Sequence, residues 1–129
     1  MTVFFLSEIK SDTKKRLQRT LEYMLPKNNI KYIKSMKELE DNLRKSSSKI
    51  PLTVILHVSK TKLLSLMPIK ELLEDKSLIL ILNDKNADTI ALGHHFRPRF
   101  VTFADSDFMD VASVLMKMKE KMCAGEVHQ

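Results

Sequence analysis

Two stretches, LTVILH at 52–57 and LILIL at 78–82, constrain the fold of this chain most, because both are apolar almost without interruption. A strand with one face in water alternates apolar and polar residues, whereas a strand that does not alternate is covered on both faces. Two such strands, joined by a helical stretch ending LMPIKELLEDK, call for a sheet with helices packed on either side. VFFLS (3–7), IKYIK (30–34) and RFVTFA (99–104) supply three further strand signals, and each is followed by a helical pattern or cap.

The first helix carries Leu17, Leu21 and Met24 on one face, with Ser11 or Asp12 to cap it and Pro26 to stop it. Ser35 and Glu38 form a capping box, in which each side chain satisfies an amide that the first helical turn leaves open. The helix they start carries Leu39 and Leu43. Asn83, Asp84 and Asn86 offer caps for a short helix that Gly93 is expected to end. Ser106 and Asp107 precede a last helix with Phe108, Val111, Leu115, Met118 and Met122 on its core face.

Strands alternating with helices imply parallel βαβ units with right-handed crossovers. The two apolar strands and the first belong at the sheet centre, and the lysine-bearing strand 30–34 belongs at an edge. This predicts a three-layer α/β domain, (βα)5, with a parallel five-stranded sheet in the flavodoxin-like order 2-1-3-4-5. The domain is expected to span residues 1–122, with 123–129 as a flexible tail. A sheet wound in this order places its site at the carboxyl ends of strands one and three. His57 stands there.

Charge is unevenly placed. Residues 9–49 hold twelve Lys and Arg against five Asp and Glu, while the remaining ten and eleven nearly cancel. The excess centres on Lys14, Lys15, Arg16 and Arg19, either a solvated helix face or a patch for an anionic partner. Cys123 is the single cysteine, which argues against a disulfide framework and for a reducing, cytoplasmic setting. No run of residues approaches the length of a membrane span, and no signal peptide is expected.

In length, element order and its two apolar central strands, the chain resembles the CheY-like receiver domains of two-component signalling, over nearly its whole extent. The resemblance implies a pocket with an acid pair after strand one for Mg²⁺, a phosphoacceptor aspartate ending strand three, a Thr or Ser ending strand four, and a lysine after strand five. Here those positions are Ser7 and Glu8, His57, Asn83, and Phe103 or Ala104. Only Glu8 keeps the family's chemistry. A single carboxylate beside an imidazole makes a poor cage for Mg²⁺, which prefers oxygen ligands. The pocket of Ser7, Glu8, His57, Asn83 and Ala104 therefore reads as a degenerate phosphorylation site. His57 either hydrogen-bonds locally to Ser7, Glu8 or backbone, or forms a pH-sensitive latch with Glu8.

GHHFRPRF (93–100) places Arg97 and Arg99 around Pro98, where they would suit a rigid docking edge for a carboxylate or phosphate. His94 and His95 are adjacent and diverge, so they make a poor metal pair. On the last helix Met109, Ala112 and Met116 recur at i, i+3, i+7, either flanking the core or forming an adaptable apolar contact surface. With two glycines in the chain no Gly-rich phosphate loop can form, and no hydrolase or metalloprotease signature is present. The sequence thus predicts no enzyme, no metal and no cofactor. It predicts a phosphorylation-independent receiver-like module, a pseudo-receiver acting as a docking or adaptor domain. Its partner would be a signalling protein, met through Arg97, Arg99, Met109, Ala112 and Met116, with a homodimer left open. The alternative is an accessory protein whose basic surface binds nucleic acid or another polyanion, although helix-turn-helix, RNP and zinc signatures are lacking.

Overall fold

The computed structural model describes residues 2–7, 12–45, 52–74 and 76–127, with side chains through residue 121. Five strands, β1 (Thr2–Ser7), β2 (Ile30–Ile33), β3 (Leu52–Val58), β4 (Ser77–Leu82) and β5 (Phe100–Phe103), form one sheet in the order β2-β1-β3-β4-β5. Every pairing is parallel. The protein is a three-layer α/β fold of flavodoxin-like order, as the two unbroken apolar strands require.

The lack of alternation in β3 and β4 has a direct cause. Val54 and Leu56 of β3, with Leu80 and Leu82 of β4, face one core with Leu39, Leu43, Leu63, Leu73 and Phe96. Ile55, Ile79 and Ile81 point the other way, into a second core with Leu17, Leu21, Phe108, Val111 and Leu115. Helices α2 (Met36–Lys45), α3 (Lys60–Leu66), α4 (Lys70–Glu74) and α5 (Ala87–His94) cover the first face, and α1 (Asp12–Met24) and α6 (Met109–Val127) the second. β2 is an edge, with Lys31 exposed between buried Ile30 and half-buried Tyr32.

Local signals set the ends of the elements. The serine half of the capping box forms, the Glu38 amide donating to Ser35 Oγ (3.1 Å), while Glu38 Oε2 reaches one residue further back and accepts from the Lys34 amide (3.2 Å). The stretch between β3 and β4 is not one helix. A 3₁₀ turn at Met67–Ile69 divides α3 from α4, because Pro68 has no amide to donate and its ring crowds the preceding turn.

Gly93 does not end α5. It has no positive φ; the helix runs to His94, and the backbone first turns left-handed at Arg97 (φ 53°), just before Pro98. What Gly93 provides is closeness, since a Cβ there would lie 3.2 Å from Leu80 Cδ1, tighter than ordinary packing. α6 is helical to Val127, past the boundary drawn at residue 122. Within CAGEV Gly125 disfavours a helix most, by about 1 kcal/mol relative to alanine.

Candidate functional site

β1 and β3 run in register, with Ser7 opposite His57 at their carboxyl ends, and β4 leads out to Asn83. The His57 ring is 1% exposed and bridges the three chain exits. Its Nδ1 lies 2.9 Å from Ser7 Oγ, and its Nε2 lies 2.7 Å from Asn83 Oδ1. With a carbonyl oxygen facing it, Nε2 donates to Asn83, and Nδ1 shares a hydrogen bond with the Ser7 hydroxyl. The imidazole thereby ties β1, β3 and the exit of β4 across the top of the sheet. This geometry realises the local hydrogen bonding to Ser7, while the other expected partner, Glu8, lies outside the described residues. Among the described residues Thr89 Oγ1, on α5, is the one fully buried side-chain oxygen or nitrogen with no hydrogen bond, so His57 is paired where pairing is the rule.

Ala104, the remaining member of the expected pocket, turns toward α1. Its amide extends the ladder to the Leu82 carbonyl (2.9 Å), and its own carbonyl accepts from Arg16 Nη2 (3.0 Å). Arg16 Nη1 donates to the Ser106 carbonyl (2.8 Å), and the guanidinium lies 4.9 Å from the centre of the Phe108 ring. Phe108 is buried yet left-handed, at φ 64°. An aromatic residue adopts that conformation only when its surroundings enforce it. Here Ser106 Oγ accepts its amide (3.0 Å) and Arg16 covers its ring.

Asp110 braces the same turn from the first turn of α6, accepting from Thr102 Oγ1 (2.7 Å), Ser106 Oγ (3.1 Å) and the Val111 amide (2.8 Å). Neither the Arg16 clamp nor the Asp110 network was read from the sequence. The spacing Thr102-x₃-Ser106-x₃-Asp110 across a cap is the signal that would have found the second.

The four expected basic residues are thus not equivalent. Arg16 serves the β5–α6 turn, Lys14 is half-buried, and Lys15 and Arg19 remain exposed. Arg19 lines a groove between α1 and α6 of about 470 Å³, with Tyr23 and Met24 on the same wall and Met109, Ala112 and Met116 opposite. The methionine face expected on the last helix therefore opens toward α1.

Arg97 and Arg99 are exposed but do not line this groove. The Arg99 amide donates to the Leu78 carbonyl (2.7 Å) at the start of β4, whereas Met109 follows the carboxyl end of β5. The two halves of the expected docking set thus sit at opposite ends of β5.

A second, smaller cavity of about 90 Å³ lies beside Ser7, with Lys34, Ser35, Val58 and Lys62 in its wall. On α1, Glu22 Oε1 accepts from the Tyr32 hydroxyl (3.0 Å) and from Gln18 (3.3 Å). These bonds, Tyr32's first, hold the carboxyl below its usual range. Burial and the Glu22 carboxylate together push the Tyr32 phenol up to about 12. Among the described residues no group of three or more His, Cys, Asp or Glu could hold a metal, and no helix is long and apolar enough to cross a membrane. No protein-family model matches the chain, and no curated protein and no solved structure resembles it at a significant level.

Proposed function

We propose that this protein is a phosphorylation-independent module built on the receiver plan, a pseudo-receiver that works by docking to a protein partner. The observation that carries this reading is His57, buried at the carboxyl end of β3 with its two ring nitrogens engaged by Ser7 and Asn83. A receiver needs a carboxylate at that point, to attack phosphorus and to share a Mg²⁺ ion with the incoming phosphoryl group. An imidazole whose two ring nitrogens are held by Ser7 and Asn83 supplies neither an attacking oxygen nor a hard ligand.

Recognition then falls to the surface. The groove between α1 and α6 supports a docking role, because it gathers exposed apolar side chains beside a cation. The alternative, a basic face for a polyanion, is weakened by Arg16, whose guanidinium is already occupied by two carbonyls. The test is incubation with acetyl phosphate or phosphoramidate and Mg²⁺, followed by intact-mass measurement. The mass should not change. A stable phosphoryl adduct on the chain would overturn the reading.

A further inference from the structure

We infer that the α1–α6 groove receives an acidic amphipathic helix of a partner protein, an inference that rests on the docking reading and names its occupant. Five large apolar side chains are exposed among the described residues, and three of them, Tyr23, Met109 and Met116, line this one groove. Tyr23 is 90% exposed and Met109 70%, far beyond what a flank of the core requires. Met109, Ala112 and Met116 recur at i, i+3, i+7 and so run about 10 Å along α6. That is the length over which a helix presents its own i, i+3/i+4 and i+7 anchors to a groove. Methionines on one wall and a tyrosine on the other suit an adaptable apolar fit.

Charge selects the partner. Of the acids around the groove, Glu22 is engaged with Tyr32 and Gln18 and Asp110 with Thr102 and Ser106, while Glu120, one turn past Met116, is exposed beyond the groove's lining. Arg19 stands in the groove wall and Lys15 one turn before it on the same face of α1, both exposed and without an ion pair among the described residues. An acidic residue beside the occupant's apolar stripe would meet them. A second copy of this chain would bring mostly like charge, since the end of α6 exposes Lys117, Lys119 and Lys121 against the single acid Glu120. A nucleic acid would leave the methionine wall without a partner.

The experiment pans a display library of helical peptides about 15 residues long, near the shortest that hold a helix, against the full chain. Enriched peptides are then synthesised and measured by fluorescence anisotropy. They should carry apolar residues at i, i+3/i+4 and i+7 with flanking Asp or Glu. Met116→Glu and Arg19→Glu should each weaken them by about tenfold or more, with circular dichroism unchanged because both sites are exposed.

Enrichment of basic peptides, enrichment insensitive to both substitutions, or no enrichment overturns the inference. So does a homodimer that Met116→Glu dissociates, or heparin binding that Arg19→Glu reduces and Met116→Glu does not. Peptides that answer instead to Arg97→Glu and Arg99→Glu would leave the docking reading standing and move its site. Phosphoryl uptake in the labelling experiment would remove the reading and leave the groove result as measured.

Discussion

The pocket at the carboxyl ends of β1 and β3 and the groove between α1 and α6 are opposites. The first sits where sheets of this winding place their chemistry, and a buried imidazole tied to Ser7 and Asn83 fills it. The second arises only from two helices lying side by side, yet it exposes Tyr23, Met109 and Met116. A polar side chain can therefore occupy a functional address and act as structure, while apolar side chains can occupy an ordinary helix face and remain uncovered. The difference lies in whether each group's interactions are completed within the chain.

The largest effect that separates the regions should come from His57→Ala. It leaves a void among buried neighbours and removes the partner that Ser7 and Asn83 share, and should cost about 3 kcal/mol in urea denaturation. Met116→Glu, on a side chain that is half exposed, should move the midpoint by only a few tenths of that. If His57→Ala were as mild as Met116→Glu, the pocket would not be a structural tie and the contrast would fail.

Arg16 offers a finer cut, since it belongs to the patch read as recognition and is used as structure. Arg16→Ala deletes two charge-assisted hydrogen bonds and the cover over Phe108, all near solvent, and should cost about 1 kcal/mol. Lys15→Ala, one residue away and exposed, should leave stability unchanged. Amide exchange at Ala112, whose N–H donates to the Phe108 carbonyl, should quicken in the arginine variant alone. Equal behaviour of the two variants would return Arg16 to the solvated face.

Much of the fold was legible because burial on both faces writes itself into β3 and β4 as continuous apolar residues, and the edge position of β2 writes itself as lysines. The capping box at Ser35 and Glu38 was legible for the same reason, since its partners are three residues apart. What stayed hidden depends on long-range pairing. Arg16 finds its acceptors some ninety residues away, and acceptors that are backbone carbonyls leave no mark on composition. Glycine often tolerates a positive φ, so from the sequence Gly93 signals a stop. Its actual constraint, the approach of Leu80, is a matter of packing distance that spacing does not encode. The methionine repeat on α6 is visible in the sequence, but its direction is not, and Arg97 and Arg99, grouped with it as one docking face, lie at the other end of β5.

The smallest expected effect is confined to pH and bears on the α1 wall of the groove. Tyr32 on β2 holds Glu22, the residue before Tyr23, so this pair links the sheet edge to the groove. The phenol titrates near 12 in the folded protein against an ordinary value of 10, so its neutral form is the one the fold favours. Its contribution is complete below the unfolded value and is lost as pH rises from about 10 through about 12. The Glu22 carboxyl is shifted the other way, so its contribution holds above the ordinary carboxylate range and fades as pH falls through its lowered folded value. Tyr32→Phe removes the alkaline slope and weakens the acid one, because Gln18 and Lys27 still act on Glu22. Thermal melts between pH 3 and 12 should show the wild type slightly more stable than the variant near neutrality, with the two curves converging toward each extreme. Because His57 takes no part in this pair, the His57→Ala variant should retain both slopes. If it lost them, the pocket and the α1 wall would be one coupled unit.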